Sequence, residues 1–526
     1  MSGSLETRSQ DKPLRGDNRA VRNVLSNWGV FVFSTVVNFF LAPFIVRHLG
    51  QTGFGIWTLM SSLTGYLGLL DLGVRSAVTR FVARHHAAAD HEEASRIASS
   101  ALLFFTTAGL LAVSASTILA LFVVQHFQIA PGYLMAARIV LILAGANIGI
   151  SLTNGVFGGI IVGLQRFDVV NRVEIANVTL RSLVILLVLR AGGGIVSLGC
   201  ISLISSLGVG TALVRLMFHL YPELRIHFSG PDWKRLSTIF SFSIYASAIH
   251  MSLQLIWYTD SVVIGVFLPI GMITFFAIAS NLLGNARAFL SGISSTLTPM
   301  ASSMEAVNKR SELGWLTLNS ARYATVVMLP IAITFMLRGK TFIGLWMGHD
   351  YAKPSGTILM ILTLAWLINA GNGVTGSILL GISKHKPLAL MAAGEGILNL
   401  TLSIVLVRYL GIYGVAWGTT IPNLIQSIVV YPWYLCRTVA IPIKHYAIFS
   451  FGRPAAAMVP FALLTFVIER RWPATNLMLF FSQVALALPI ALAGFWFYVL
   501  LPVERSQYYR GWILPLLHSM GWSSVG

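Results

Sequence analysis

The chain has 526 residues, 56% of them hydrophobic and only 10% charged, with a mean hydropathy of +0.77, a balance that excludes a soluble globular domain. Its formal net charge of +18 comes from Lys and Arg scattered among polar breaks, without the basic face or motif that nucleic-acid recognition needs. The only cysteines, Cys200 and Cys436, both fall in apolar segments and read as small core residues, so neither a disulfide framework nor a metal site is expected, and no cofactor.

In chain order, a polar tail over residues 1–23 precedes a first apolar run, Val24 to Val46, which is longer than a signal-peptide core and lacks a small-residue cleavage site, so it is expected to remain as an anchor. Spans are expected at 25–46, 53–83, 98–125, 134–163, 172–190, 195–219, 237–267, 271–301, 316–337, 355–382, 388–409, 412–435, 447–468 and 476–501. The fold class is therefore all-α and polytopic, with about fourteen transmembrane helices. With the N-terminus inside, the outer segments hold only Arg47, Arg190, Arg338, Lys340, Lys353, Arg408, Arg470 and Arg471, and the inner ones most of the remaining Lys and Arg. The positive-inside rule then makes both termini cytoplasmic in an inner membrane. The largest outer loop is expected near Gly339 to Pro354, too small for an elaborate active site.

Self-comparison finds a repeat at a shift of 218 positions. Asn154-Gly155-Val156-Phe157-Gly158 aligns with Asn372-Gly373-Val374-Thr375-Gly376, then Gly163 with Gly381, Arg166 with Lys384 and Arg190 with Arg408. Gly53 meets Gly271 and Ala83 meets Ala301 in the same register. The expected organisation is an N-lobe at 24–220, a cytoplasmic connection at 221–236, a C-lobe at 237–440, two added helices at 441–503 and a tail at 504–526. Six helices per copy is an even number, so the copies are related by an axis along the membrane normal, as in transporters that hold substrate between halves and rock them alternately open.

The stretches Pro43-Phe44-Ile45-Val46-Arg47-His48-Leu49-Gly50, Gly53-Phe54-Gly55-Ile56-Trp57, Leu70-Asp71-Leu72-Gly73-Val74 and Arg80-Phe81-Val82-Ala83 resemble the opening of the bacterial polysaccharide-transporter family, the Wzx-type repeat-unit flippases. Asp260-Ser261-Val262-Val263-Ile264-Gly265, and Leu329-Pro330 through Gly348-His349-Asp350-Tyr351, extend the likeness over nearly the whole chain. That resemblance implies the multidrug, oligosaccharidyl-lipid and polysaccharide exporter superfamily, with a central cavity lined by helices one, two, seven and eight. It also implies export of undecaprenyl-diphosphate-linked oligosaccharide for O-antigen, capsule or exopolysaccharide. The implied partners are that substrate, membrane lipids, a polysaccharide polymerase and a chain-length regulator.

An ionisable side chain inside a bilayer is costly and usually faces protein or a wet cavity, which singles out a few positions. Arg287 in the eighth span is the leading candidate, because a guanidinium presents donors suited to a bidentate grip on a diphosphate; the alternative is pairing with Asp71 or Asp260. Asn281 and Asn285 share another face of that helix, and Asn38 lies in the first span. Asp71 and Arg75 stand at i and i+4, either in the pathway or as a structural pair. His250, Gln254 and Tyr258 form a polar stripe on the seventh span, open to a cavity or to a helix seam, with Asp260 nearer its outer end, in reach of interfacial water. Glu174, Asn177 and Arg181 on the fifth span read as packing between helices; the shift carries Asn177 and Arg181 to Glu395 and Asn399. Arg138, Arg215 and Arg322 are expected to snorkel.

A cation-coupled antiporter of the same superfamily should carry an acid in its first span, and Val24 to Val46 holds none. A membrane glycosyltransferase, polymerase or ligase needs a sizeable outer loop with catalytic groups, and the longest expected loop offers only His349 and Asp350. A scaffold accounts for the repeat but not for buried cations. The expected protein is a flippase and not an enzyme.

Overall fold

Apolar runs placed in lipid must satisfy their backbone N–H and C=O groups internally, and a helix does so within one segment. The computed structural model describes residues 16–227, 254, 256–384 and 386–508, and the spans expected within them fall on helix, with no strand among the described residues; most of the expected connection at 221–236 and the first part of the span expected at 237–267 lie outside the described residues. Among the described residues ten helices are long and apolar enough to cross a membrane, alongside shorter ones, so the chain is a multi-pass, all-α membrane protein. Large apolar side chains stand outward, among them Phe40, Leu187, Ile204 and Met478, and form the lipid-facing surface.

The first helix, α1 (Gly16–Gly65), has 50 residues. Straight, it would measure about 75 Å against a hydrocarbon core of about 30 Å. Gly50, at φ 68° and ψ 177°, divides it into two passes. The space around its absent Cβ is open, so this glycine answers to conformation and not to crowding. The second pass then breaks at a 3-10 segment (Tyr66–Asp71) and the left-handed residues Leu72 and Gly73, before resuming as α2 (Val74–Ala87). This interruption replaces the continuous second span read from the sequence.

There follow α3 (His91–Ile118), α4 (Pro131–Gly163), α5 (Phe167–Arg190) and α6 (Ile195–Leu220). The second half runs through α7 (Ile256–Phe267), α8 (Met272–Ala306), α9 (Arg310–Met347), α10 (His349–Gly381), α11 (Lys386–Leu410) and α12 (Ile412–Ile425). A wide π turn carries α12 into α13 (Tyr431–Thr438). The C-terminal part comprises α14 (Ile443–Ala447), α15 (Arg453–Ala457), α16 (Val459–Arg471), α17 (Leu477–Gly494) and α18 (Pro502–Tyr508).

The contacts repeat with the sequence. A Cβ on Gly163 would lie 2.9 Å from the Thr79 carbonyl oxygen and 3.5 Å from the Ala83 nitrogen; one on Gly381 would lie 2.4 Å from the Thr298 oxygen and 3.0 Å from the Ala301 Cβ. Asn154 Nδ2 donates to the Ser206 carbonyl at 2.8 Å, and Asn372 Nδ2 to the Ser427 carbonyl at 2.9 Å. Gln165 and Ser383, 218 apart, share φ values of 57° and 58°.

The halves meet at the end that carries Gly50, Ile129 and Gly348. Thr274 Oγ1 donates to the Gln51 carbonyl at 2.7 Å, the Gln128 amide to the Gly265 carbonyl at 3.2 Å, and Trp346 Nε1 to the Phe39 carbonyl at 2.8 Å. Gly55 lies against the Ile270 carbonyl, where a Cβ would come within 2.3 Å. Deeper in, the Tyr258 ring occupies the place of a Gly65 side chain and Tyr66 Oη bonds Thr259 Oγ1 at 3.0 Å.

Several expectations change. The loop expected over Gly339 to Pro354 is helix, with Gly348 (φ 121°) alone separating α9 from α10. Cys200 is exposed on the helix surface, while Cys436 is buried. Arg322 does not snorkel: it is fully buried and ion-pairs with Glu504. Arg338, assigned to an outer segment, lies inside α9 at 1% exposure, its Nε 2.9 Å from Glu469 Oε2 and its guanidinium also bonded to Gln483. Glu469 also accepts from Thr341. Arg138 is half-buried, with its Nε buried and without a hydrogen-bond partner.

Candidate functional site

Residues four apart share one helix face, and two such pairs oppose each other in the second half: Glu395 and Asn399 on α11, Thr419 and Asn423 on α12. Asn423 Nδ2 donates to Glu395 Oε1 at 2.7 Å, and Asn399 Nδ2 to Thr419 Oγ1 at 2.9 Å. The Thr419 hydroxyl lies 3.0 and 2.9 Å from the two carboxylate oxygens of Asp260, which is only 4% exposed. Asp260 thus does not reach interfacial water; α12 and α7 enclose it. From α10, Asn369 Nδ2 donates to Asn423 Oδ1 at 3.1 Å and extends the network.

Arg287 on α8 completes the cluster. It is half-buried, interacts electrostatically with both Glu395 and Asp260, and sits 5.4 Å from the Trp257 ring centroid. Its Nε and the Asn399 Oδ1 are buried without hydrogen-bond partners. Arg287 thus shares a neighbourhood with Asp260 and with Glu395, which the sequence reading took as a packing residue, without a direct ion pair to either. Helices α7, α8, α10, α11 and α12 together hold one guanidinium and two carboxylates, with unfilled hydrogen-bonding capacity between them. Among the described residues no group of three or more His, Cys, Asp or Glu could hold a metal ion.

The remaining candidates lie elsewhere. Asp71 and Arg75 pair at 3.8 Å with half-open side chains, and the guanidinium lies on Gly155, whose Cβ would come within 2.6 Å of Nε. Asn38, Asn281 and Asn285 are exposed, Gln254 is helical and half-buried, and His250 lies outside the described residues. The stripe ends in Tyr258, which serves as packing against Gly65. Asn177 accepts from Ser205 between α5 and α6, a seam between helices as expected. Sequence reasoning missed Thr419 and Asn423 altogether; the signal available was their four-residue spacing opposite Glu395 and Asn399.

The polysaccharide biosynthesis protein family matches residues 20–305. A Shigella flexneri protein named for O-antigen transport is 21% identical over 424 residues, covering 78% of this chain and 97% of that protein. A low-salt glycan biosynthesis flippase of Haloferax volcanii is 21% identical over 79% of this chain and 83% of its own length. Among solved structures, a multidrug resistance MATE family transporter of the MOP superfamily in an inward-facing conformation superposes with a TM-score of 0.69 at 16% identity, covering 80% of this chain and 99% of that one. The lipid II flippase MurJ in an inward closed conformation gives 0.67 at 14% identity, over 94% of this chain and 100% of that one. These likenesses fix the fold, and the match across more than half of the sequence makes the chain a member of the polysaccharide biosynthesis protein family.

Proposed function

We propose that the protein is a flippase that moves undecaprenyl-diphosphate-linked oligosaccharide from the cytoplasmic to the outer leaflet of the inner membrane by alternating access. The observation that carries this reading is Arg287: a cation inside a spanning helix, flanked by Asp260 and Glu395 and with Nε open to a further acceptor. A diphosphate entering between the halves competes with the two carboxylates for the guanidinium, which offers it bidentate geometry. The polyprenyl tail stays in lipid, and no covalent bond changes. The relatives bear the names of transporters and flippases, not of enzymes, and the outer loop that a glycosyltransferase or polymerase would use is helix here.

Charge gives the direction. By the positive-inside rule the Asn308 end, with Arg80, Arg84, Arg166 and Lys309, is cytoplasmic together with both termini. The contacts between halves then close the outer side, and substrate enters from the cytoplasm. A headgroup leaving against an inside-negative potential of 100 mV gains about 2.3 kcal/mol per charge, enough for the potential to drive export. A polymerase and a chain-length regulator would take over the product outside.

Arg287→Ala should abolish flipping of a labelled lipid-linked sugar in vesicles at normal protein level, and Arg287→Lys, which keeps charge but loses the fork, should restore it only in part. Undiminished transport by Arg287→Ala removes the assigned role. A second reading, cation-coupled antiport of a small molecule, draws on the buried Asp260 and the half-buried Glu395; it requires that Asp260→Asn stop transport of a small cation, with lipid-linked sugar flipping absent from the wild type.

A further inference from the structure

A groove of about 630 Å³ runs between α3, α4 and α6 on the first half, remote from Arg287. Its floor is made by absence: Gly109 and Gly149 bring α3 and α4 so close that a Cβ on either would lie 3.0 Å from the other's carbonyl oxygen. With Ala146 and Gly210 beside them, no side chain fills the space. The rim residues Leu110 and Leu207 are 65% and 50% exposed, which in a membrane means that they face acyl chains. An unfilled apolar recess in that position forfeits dispersion contacts that a chain methylene can supply.

The groove has one charged end. Arg215 lines it, is exposed, and has no described carboxylate as partner. It stands five residues before the end of α6, about 7 Å below the helix terminus and within snorkelling reach of the phosphate level. Thr211 and His219 flank it at four-residue spacing on the same face. From Leu207 to Arg215 the groove measures about 12 Å, most of one leaflet's hydrocarbon depth. We propose that this groove binds an anionic phospholipid, one acyl chain along the Gly109–Gly149 floor and the phosphate on Arg215. Basic recesses between spanning helices recognise anionic headgroups in this way. The proposal does not depend on the transported substrate.

The test is native mass spectrometry of the full-length protein released from nanodiscs containing equal phosphatidylglycerol and phosphatidylcholine of identical chains. Wild type should retain phosphatidylglycerol preferentially, Arg215→Gln should cut the preference about fivefold, and Arg215→Lys should keep it. Ala146→Leu, which fills the floor, should lower retention of both lipids. Equal retention of the two lipids by wild type, or a preference untouched by Arg215→Gln, overturns the proposal. So does displacement by glycerol phosphate alone, which would make this a headgroup site without a chain groove, or by stoichiometric undecaprenyl phosphate, which would reassign the groove to the transported lipid.

Discussion

Asn177 and Glu395 stand 218 residues apart, and each bonds the residue 28 positions further on, Ser205 and Asn423, which are themselves 218 apart. One helix seam has thus been built twice, with a neutral amide in the first half and a carboxylate in the second. The neighbouring positions diverge further: where the second half has Asp260, Arg287 and Thr419, the same register in the first half has Ala42, Leu69 and Ile201. The first half keeps a different charge set on the same backbone frame: Arg181 stands in the register of Asn399, on the face that also carries Glu174 and Asn177. The frame is thus shared while the placing of the charges is not, and the contrast between the halves isolates what the second-half set of Asp260, Arg287 and Glu395 adds.

The largest effect expected from this contrast is on stability. Arg322→Ala, which strands Glu504 in a buried site, should cost about 3–5 kcal/mol, read as a fall in the melting temperature of detergent-solubilised protein. Arg75→Ala, which opens a half-exposed i,i+4 pair in the first half, should cost no more than about 0.5 kcal/mol. Equal losses would erase the distinction between the halves. Next, Asn423→Leu leaves Glu395 without its donor and should cost about 1–3 kcal/mol, while Ser205→Ala should cost about 1 kcal/mol or less. If instead the two match, the Glu395 seam is only packing.

A third pair should behave alike. Gly163→Ala and Gly381→Ala each force a helix off a carbonyl oxygen and should each cost about 1–3 kcal/mol, and unequal values would show that the contact shared by the halves is not equally used. The smallest effect concerns pH. Asp90 caps α3 by accepting the Glu93 amide, and that bond holds its carboxyl below the ordinary value. The folded value lies under the unfolded one, so the cap's contribution is present above the ordinary carboxylate range and lost as pH falls through the folded value. Protection factors of the amides in the first turn of α3, taken against the intrinsic exchange rate at each pH, should therefore fall in acid. Asn308 takes the same register before α9, which begins without a side-chain cap, and its first turn should respond less.

Much of this architecture was legible in the residues. Apolar runs located the helices because lipid leaves the backbone little choice, and the 218-residue register anticipated contacts at Gly163, Gly381, Asn154 and Asn372 because those small or amide residues have specific neighbours to meet. Arg287 stood out because a guanidinium within an apolar run has few explanations. Glu395 did not, because a carboxylate on a helix face looks the same whether it faces an asparagine or a distant arginine. Arg322 and Arg338 were misplaced for a related reason: their partners lie 182 and 131 positions downstream, and polarity near a span end resembles a loop until those partners are in place.

Those two long-range pairs bear on how the protein is made. When α9 leaves the ribosome, neither Glu469 nor Glu504 has yet been synthesised, so two guanidinium groups wait in a nascent bundle with nothing to neutralise them. The order of translation thus makes the last helices a completion check: a chain cut short after α13 exposes both cations to lipid, a mark that membrane proteases and insertases can detect.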